Sequence, residues 1–314
     1  MAKEKHWIHE SRTDGLKLSV LCIEPDNVKE AKGIVQLVHG MNEYKERYIP
    51  FMEFLADNGY ITVIHDNRGH GKSIKCKEDL GYMYEGGYVA LVRDTHEITV
   101  KIKAYAKKVT GREDLPLTLF GHSMGSMIVR CYLRKYDGDI QKLIVCGCPS
   151  EKPAMKAGVM IIRGLEKKKG ERYRSDFISG LVMGAYEKKF KDEDIPHSWI
   201  NSDLKAVSRY NADPLCNFCF TLNGYENLVK LTMLTYKEGG HAMQNPHLPI
   251  YFYSGADDPC AGSVKNFEDA MDFLKEQGYY NVRGVMYPGM RHEILNEPEH
   301  EVVFGDMLKF IKDE

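Results

Sequence analysis

Gly121-His122-Ser123-Met124-Gly125 sets a serine between two glycines, the G-x-S-x-G spacing of a sharp turn that lifts a hydroxyl off the backbone. The glycines have a steric purpose, because side chains at 121 and 125 would collide with the neighbouring strand and helix. A serine so held is a nucleophile for acyl transfer once a base takes its proton and a carboxylate orients that base. A helix N-terminus behind it would also aim backbone N–H groups at developing negative charge. The five letters recur by chance, so their setting matters. Leu117 to Phe120 (LTLF) reads as a short strand and Met127 to Tyr136 has helical spacing, the strand–turn–helix frame that the motif requires.

A base and an orienting acid follow in the order serine, acid, histidine. The apolar run Ile250 to Ser254 ends in Gly255-Ala256-Asp257-Asp258-Pro259, where two acids stand side by side and spacing does not choose between them. The run Val282 to Tyr287 leads into Pro288-Gly289-Met290-Arg291-His292-Glu293, which brings His292 to the same edge of a sheet. His300 is the only later histidine, and Glu297-Pro298-Glu299 before it reads as a helix start. Upstream, His39-Gly40-Met41-Asn42-Glu43 follows another apolar run and is placed to give one oxyanion N–H. The amide of Met124, next to the nucleophile, gives a second. Each such donor is worth ~3 kcal/mol of barrier.

Positioning these residues needs alternating strands and helices. Leu16 to Ile23, Gly33 to Val38, Ile61 to His65 and Lys142 to Cys146 read as strands. Arg47 to Asn58 and Tyr88 to Val109 carry helical spacing between them. From Ser150 to about Pro246 the rhythm breaks into helical fragments, such as Phe177 to Phe190 and Leu228 to Tyr236, with no buried strand. Alternation then returns, with a helix from about Ser263 to Gln277 and a last one from about Glu299 to Lys312. The pattern predicts an α/β core over 1–149 and 247–314, with a mostly parallel sheet. Residues 150–246 are expected to form an inserted helical cap.

Composition narrows the partners. The 314 residues are 43% hydrophobic, enough for one large core. The 43 basic and 45 acidic side chains leave a formal net charge of -2, which gives no case for nucleic acid as a partner. A small molecule, or a neutral surface, is the expected partner. No run approaches the ~20 apolar residues of a membrane span, and the N-terminus lacks a signal-peptide core. The eight cysteines are scattered, and Cys216-x-x-Cys219 has no second ligand pair, so packing is expected rather than metal. A reduced, cytoplasmic protein follows. Asp66 to Ser73 lacks the spacing of a phosphate loop and reads as a turn bracing the site. Lys167-Lys168-Lys169, Arg172 and Arg174 read as a solvated face.

Four segments together resemble the serine-aminopeptidase-like branch of the α/β hydrolases, which includes monoacylglycerol lipases and lysophospholipases. They are His39 to Glu43 with Arg47-Tyr48, Asp66 to Ser73, the Gly121 to Gly125 turn, and the paired Asp257-Asp258 and His292 loops. Asp213-Pro214-Leu215 resembles a lysophospholipase-like segment. The resemblance implies the α/β-hydrolase fold, with Ser123 as nucleophile, His292 as base, Asp258 as orienter, and Met41 and Met124 as oxyanion donors. It prefers Asp258 because the family loop reads G-x-x-D before proline. It implies no cofactor and no metal, and an acyl ester substrate, with transient lipid-surface contact through the cap. Apolar cap segments such as Met160-Ile161-Ile162 and Phe218 to Phe220 would either line an acyl pocket or pack the cap against the core. A serine aminopeptidase of the proline-iminopeptidase kind is the rival enzyme. It needs a cap carboxylate for the substrate amine, from Glu187, Asp192, Glu193 or Asp194. A non-catalytic binding module is the remaining class, and loss of a triad member would favour it.

Overall fold

The continuous apolar runs become the inner strands of one sheet. The computed structural model describes residues 3–151 and 155–312, so Met1, Ala2 and residues 152–154 of the expected cap lie outside the described residues. Among those described, the strands are β1 (Lys3–Glu10), β2 (Lys17–Glu24), β3 (Gly33–Val38), β4 (Tyr60–His65), β5 (Leu117–His122), β6 (Lys142–Cys146), β7 (Ile250–Gly255) and β8 (Val282–Tyr287). They lie in the order β1-β2-β4-β3-β5-β6-β7-β8. The first two pairings, β1 with β2 and β2 with β4, are antiparallel. Every pairing from β4 onward is parallel.

The helices are α1 (Ile49–Asp57), α2 (Gly87–Thr110), α3 (Met124–Tyr136), α4 (Met155–Lys169), α5 (Asp176–Lys189), α6 (Leu204–Ala212), α7 (Leu222–Thr235), α8 (Val264–Glu276) and α9 (His300–Lys312). Alternate strand residues face opposite layers, as the pleat requires. Leu119, Val145 and Phe252 pack with α2, α3 and α8, while Phe120, Ile144 and Tyr253 pack with α1 and α9. Both faces are therefore covered, which explains why β3 to β6 read as nearly continuous apolar runs.

Four helices separate β6 from β7, and no strand lies there among the described residues, only an isolated bridge between Arg174 and Thr221. Of these helices, α7 buries Leu228 and Leu231 in the same cluster as Ile98 of α2 and Ile128 of α3. A separate small cluster joins Tyr186, Trp199, Val207 and Tyr210. The Arg172 side chain is 55% exposed, as a solvated face requires, yet both it and Arg174 also reach the core. Arg172 pairs with Asp79, and Arg174 donates to the carbonyls of Glu78 and Leu80 at 2.8 and 2.7 Å, tying this segment to the core. The lysines at 167–169 are exposed, as expected. No described helix is long and apolar enough to cross a membrane.

β1 has no counterpart in the sequence reading. It is an edge strand of charged residues on which Trp7 faces inward while Ile8 is 55% exposed, so no apolar alternation marks it.

Candidate active site

The serine turn is built by contacts that only glycine permits. Ser123 sits at φ 53° and ψ -117°, between β5 and α3. A Cβ at Gly121 would stand 2.4 Å from the Gly125 carbonyl oxygen, and one at Gly125 would stand 2.1 Å from that of Val38. The second clash predicts an unusual substitution result. Within a helix, Gly→Ala ordinarily stabilises by up to ~1 kcal/mol. Gly125→Ala is expected to destabilise by about 3 kcal/mol instead, read as a lowered chemical-denaturation midpoint.

His292 and Asp258 arrive on neighbouring strands, β8 and β7. His292 Nδ1 lies 2.8 Å from Asp258 Oδ2, and both residues are buried. The other carboxylate oxygen of Asp258 accepts the Cys260 N–H at 2.8 Å. Its neighbour Asp257 points away, its side chain 52% exposed and 3.8 Å from Lys189. His300 begins α9, where Nδ1 meets the Glu297 carbonyl at 2.7 Å. Ser123, Met41, Met124 and His292 all line one cavity of about 510 Å³, whose walls come largely from the segment between β6 and β7. Met124 is the first residue of α3, so its N–H has no helical carbonyl to bond. Ile161, Ile162 and Phe218, from the segment between β6 and β7, line the cavity, whereas Phe220 is buried in the core cluster.

The loop carrying Met41 is held from behind. His39 Nδ1 meets the Gly40 carbonyl at 2.8 Å, and its Nε2 accepts the Asn67 N–H at 2.9 Å. Burial pushes the His39 pKa down to about 3, which keeps the ring neutral for both bonds. Asn67 belongs to the Asp66 to Ser73 turn, so that turn braces the site as its polarity suggested. Asp66 itself accepts the N–H groups of Lys45 and Lys72 and pairs with Lys45 Nζ at 2.7 Å.

A buried charge network underlies both loops, and the sequence reading gave its members no role. Glu43 accepts from the Gly40 N–H, from Tyr48 Oη at 2.9 Å and from His122 Nδ1 at 2.9 Å. Burial alone would push its carboxyl up, but His122 and Arg47 hold it well below the usual range. Burial likewise opposes charge on His122, yet Glu43 raises its pKa above the ordinary value. The imidazolium then donates from Nε2 to the His292 carbonyl at 3.1 Å. Arg47 forks onto Glu293 at 2.6 and 2.7 Å. His122 is the variable letter of G-x-S-x-G, and no spacing rule assigns it a partner.

Asp258, Cys260 and His292 are the one described group whose donor atoms, within 4.8 Å of one another, suit a metal. An ion there would have to displace the direct bond between Asp258 and His292.

Residues 29–299 match the model of the family described as serine aminopeptidase, S33. Among curated relatives, the monoacylglycerol lipase of Mycolicibacterium smegmatis is 25% identical over 285 residues, 90% of this chain and 89% of that protein. The monoglyceride lipase of Saccharomyces cerevisiae is 24% identical, covering 95% of this chain and 90% of its own. A thermostable carboxyl esterase from Bacillus coagulans, solved with glycerol, superposes with a TM-score of 0.87 at 24% identity, over 100% of this chain and 99% of that one. With a family match running from before β3 to the start of α9 and a sheet that superposes throughout, the chain belongs to the serine aminopeptidase S33 family and has the α/β-hydrolase fold.

Proposed function

We propose that this chain is a carboxylic ester hydrolase acting through Ser123, His292 and Asp258, with an acyl-enzyme intermediate. The observation that carries the reading is that His292, paired with the buried Asp258 at 2.8 Å, lines the same apolar cavity as a serine held at positive φ. Ser123 Oγ attacks the ester carbonyl as its proton passes to His292 Nε2. The oxyanion forms against the Met41 and Met124 amides. As the C–O bond breaks, His292 returns the proton to the departing alcohol. Water, deprotonated by the same histidine, then releases the acid and restores Ser123. Asp258 keeps the imidazole in the tautomer with hydrogen on Nδ1.

Residues 150–246 act as the cap over a core of 1–149 and 247–314, and the cap selects the acyl group. Relatives named as monoacylglycerol lipases support a monoacylglycerol-like or lysophospholipid-like ester. Met160, Phe177 and Leu181 on α4 and α5 are 74%, 62% and 55% exposed, which supports transient contact of the cap with a lipid surface. All eight cysteines are free, in keeping with a cytoplasmic location.

One observation favours the aminopeptidase alternative: Glu187, one of the four carboxylates named for it, lines the cavity. Its oxygens already accept the His197 N–H at 3.1 and 3.2 Å and the Trp199 indole N–H at 3.2 Å. That weakens its claim on a substrate amine. Hydrolysis of p-nitrophenyl esters from acetate to palmitate, beside a 1-monoacylglycerol and an aminoacyl-anilide, decides between them. The expected result is a kcat/KM that climbs with acyl length, by up to about fourfold per methylene while the chain still buries new surface. Anilide cleavage without ester cleavage would establish the peptidase, and no turnover of either would leave the binding module.

A further inference from the structure

A hydrogen bond to Nδ1 fixes the tautomer of an imidazole but leaves the ring free to pivot about that bond. Something must therefore hold the faces of His292. Two rings flank it: His122 at 4.8 Å between centroids, tilted 46°, and Trp199 at 4.9 Å, tilted 45°. His122 belongs to the core, on β5, but Trp199 comes from the cap.

We propose that Trp199, steadied by Glu187, is a positioning residue for His292, so that the cap supplies part of the general base's slot as well as the acyl wall. The proposal rests on the role of His292 given above. Trp199 is only 5% exposed, and its indole N–H donates to Glu187 Oε1 at 3.2 Å while Tyr186 packs on it at 5.0 Å. The chain around Trp199 is fastened to the His292 loop on both sides. The Glu293 N–H donates to the Ile200 carbonyl at 2.7 Å, and Arg291 donates to the Ser198 carbonyl at 2.6 Å. Farther along, Asn201 Nδ2 reaches the Asn296 carbonyl at 2.9 Å, and the Ser202 N–H reaches Glu297 at 3.1 Å. The residues next to His292 on either side are thus bonded to the residues next to Trp199 on either side. Such a double fastening fixes the distance between the two rings, not merely the docking of cap on core.

This arrangement also accounts for a carboxylate in an apolar cavity: Glu187 is needed as an acceptor for the indole and for the His197 amide. Because Trp199 and Glu187 line the cavity as well, an acyl chain entering it packs against the side chain that sets the base.

The test uses the full chain, with active sites counted by stoichiometric labelling with a fluorophosphonate so that unfolded protein does not enter kcat. On p-nitrophenyl acetate, whose acyl group is too short to fill the cap, Trp199→Leu is expected to lower kcat roughly 10- to 100-fold with KM changed less than about twofold. Trp199→Phe keeps an aromatic face and is expected to recover most of that loss. Glu187→Gln, which retains an acceptor for the indole, stays within about threefold of wild type, and Glu187→Ala falls towards Trp199→Leu. Ordinary packing would instead lower thermal stability while leaving kcat per labelled site unchanged, and that result in both Trp199 variants overturns the proposal. If the wild-type chain neither turns over esters nor labels, the hydrolase reading itself has failed. An active wild type beside an unimpaired Trp199→Leu removes only the role of Trp199.

Discussion

Ser123→Ala is expected to abolish ester turnover, a fall in kcat on the order of 10⁴- to 10⁶-fold, without unfolding the chain. The size follows from the proposed mechanism: without Oγ no acyl-enzyme would form, and only binding and the oxyanion amides would be left to act on an attacking water. Stability should change by less than about 1 kcal/mol, because alanine must adopt the same strained backbone at φ 53°. Ser123→Gly separates the two properties further. Glycine visits that region freely, and after its own entropic cost it should gain about 1 kcal/mol over the wild type while being equally inactive. The measurement is initial-rate hydrolysis of p-nitrophenyl butyrate beside a denaturation midpoint for all three proteins. An alanine variant with more than a few per cent of wild-type activity would remove Ser123 from the mechanism. A glycine variant less stable than alanine would remove the stored strain.

That strain was readable from the spacing of Gly121 and Gly125, because packing a strand against the helix that follows it leaves little room for a side chain. The inner strands were readable for a related reason: a strand covered on both faces is apolar at nearly every position, as in Leu143-Ile144-Val145. Legibility fails where a residue's partner is distant in sequence and its own type is unremarkable. Helix α4 buries only Val159 and Ile162, so its period is faint. The helix behind the serine begins at Met124, three residues before the apolar spacing resumes, because Gly125 and Ser126 are poor helix formers. Glu43 and His122 lie 79 positions apart, and only the fold shows that each needs the other. Arg172 reads as a solvated charge, and it is 55% exposed, but its buried partner Asp79 lies in a core loop far upstream. Charge pairs of this kind have no period, so no window along the chain reveals them.

The adjacent acids show where spacing stops and geometry takes over, and they carry the second large effect. Asp258→Asn is expected to lower kcat on the order of 10³- to 10⁴-fold, while Asp257→Asn stays within about twofold. The reason lies in how asparagine must orient in that buried slot. Asp258 Oδ1 accepts the Cys260 N–H at 2.8 Å, a bond that only the amide oxygen of asparagine can keep. The amide NH₂ is then turned towards His292 Nδ1, where Oδ2 stood at 2.8 Å. A donor at that point demands an unprotonated Nδ1, which moves the ring hydrogen to Nε2, and an Nε2 carrying hydrogen cannot take the serine proton. Asp258→Asn should therefore fold and bind substrate with KM nearly unchanged, and fail in the proton transfer. Asp257 has none of this leverage, since its side chain is half in water and its distance to Lys189 is that of a weak surface pair. Parallel kinetics of the two variants, with the ring hydrogen located by nitrogen-15 NMR of His292, test the sequence of causes. A large loss in Asp257→Asn with Asp258→Asn near wild type would mean that the loop turns over in solution and that the orienter is the exposed acid.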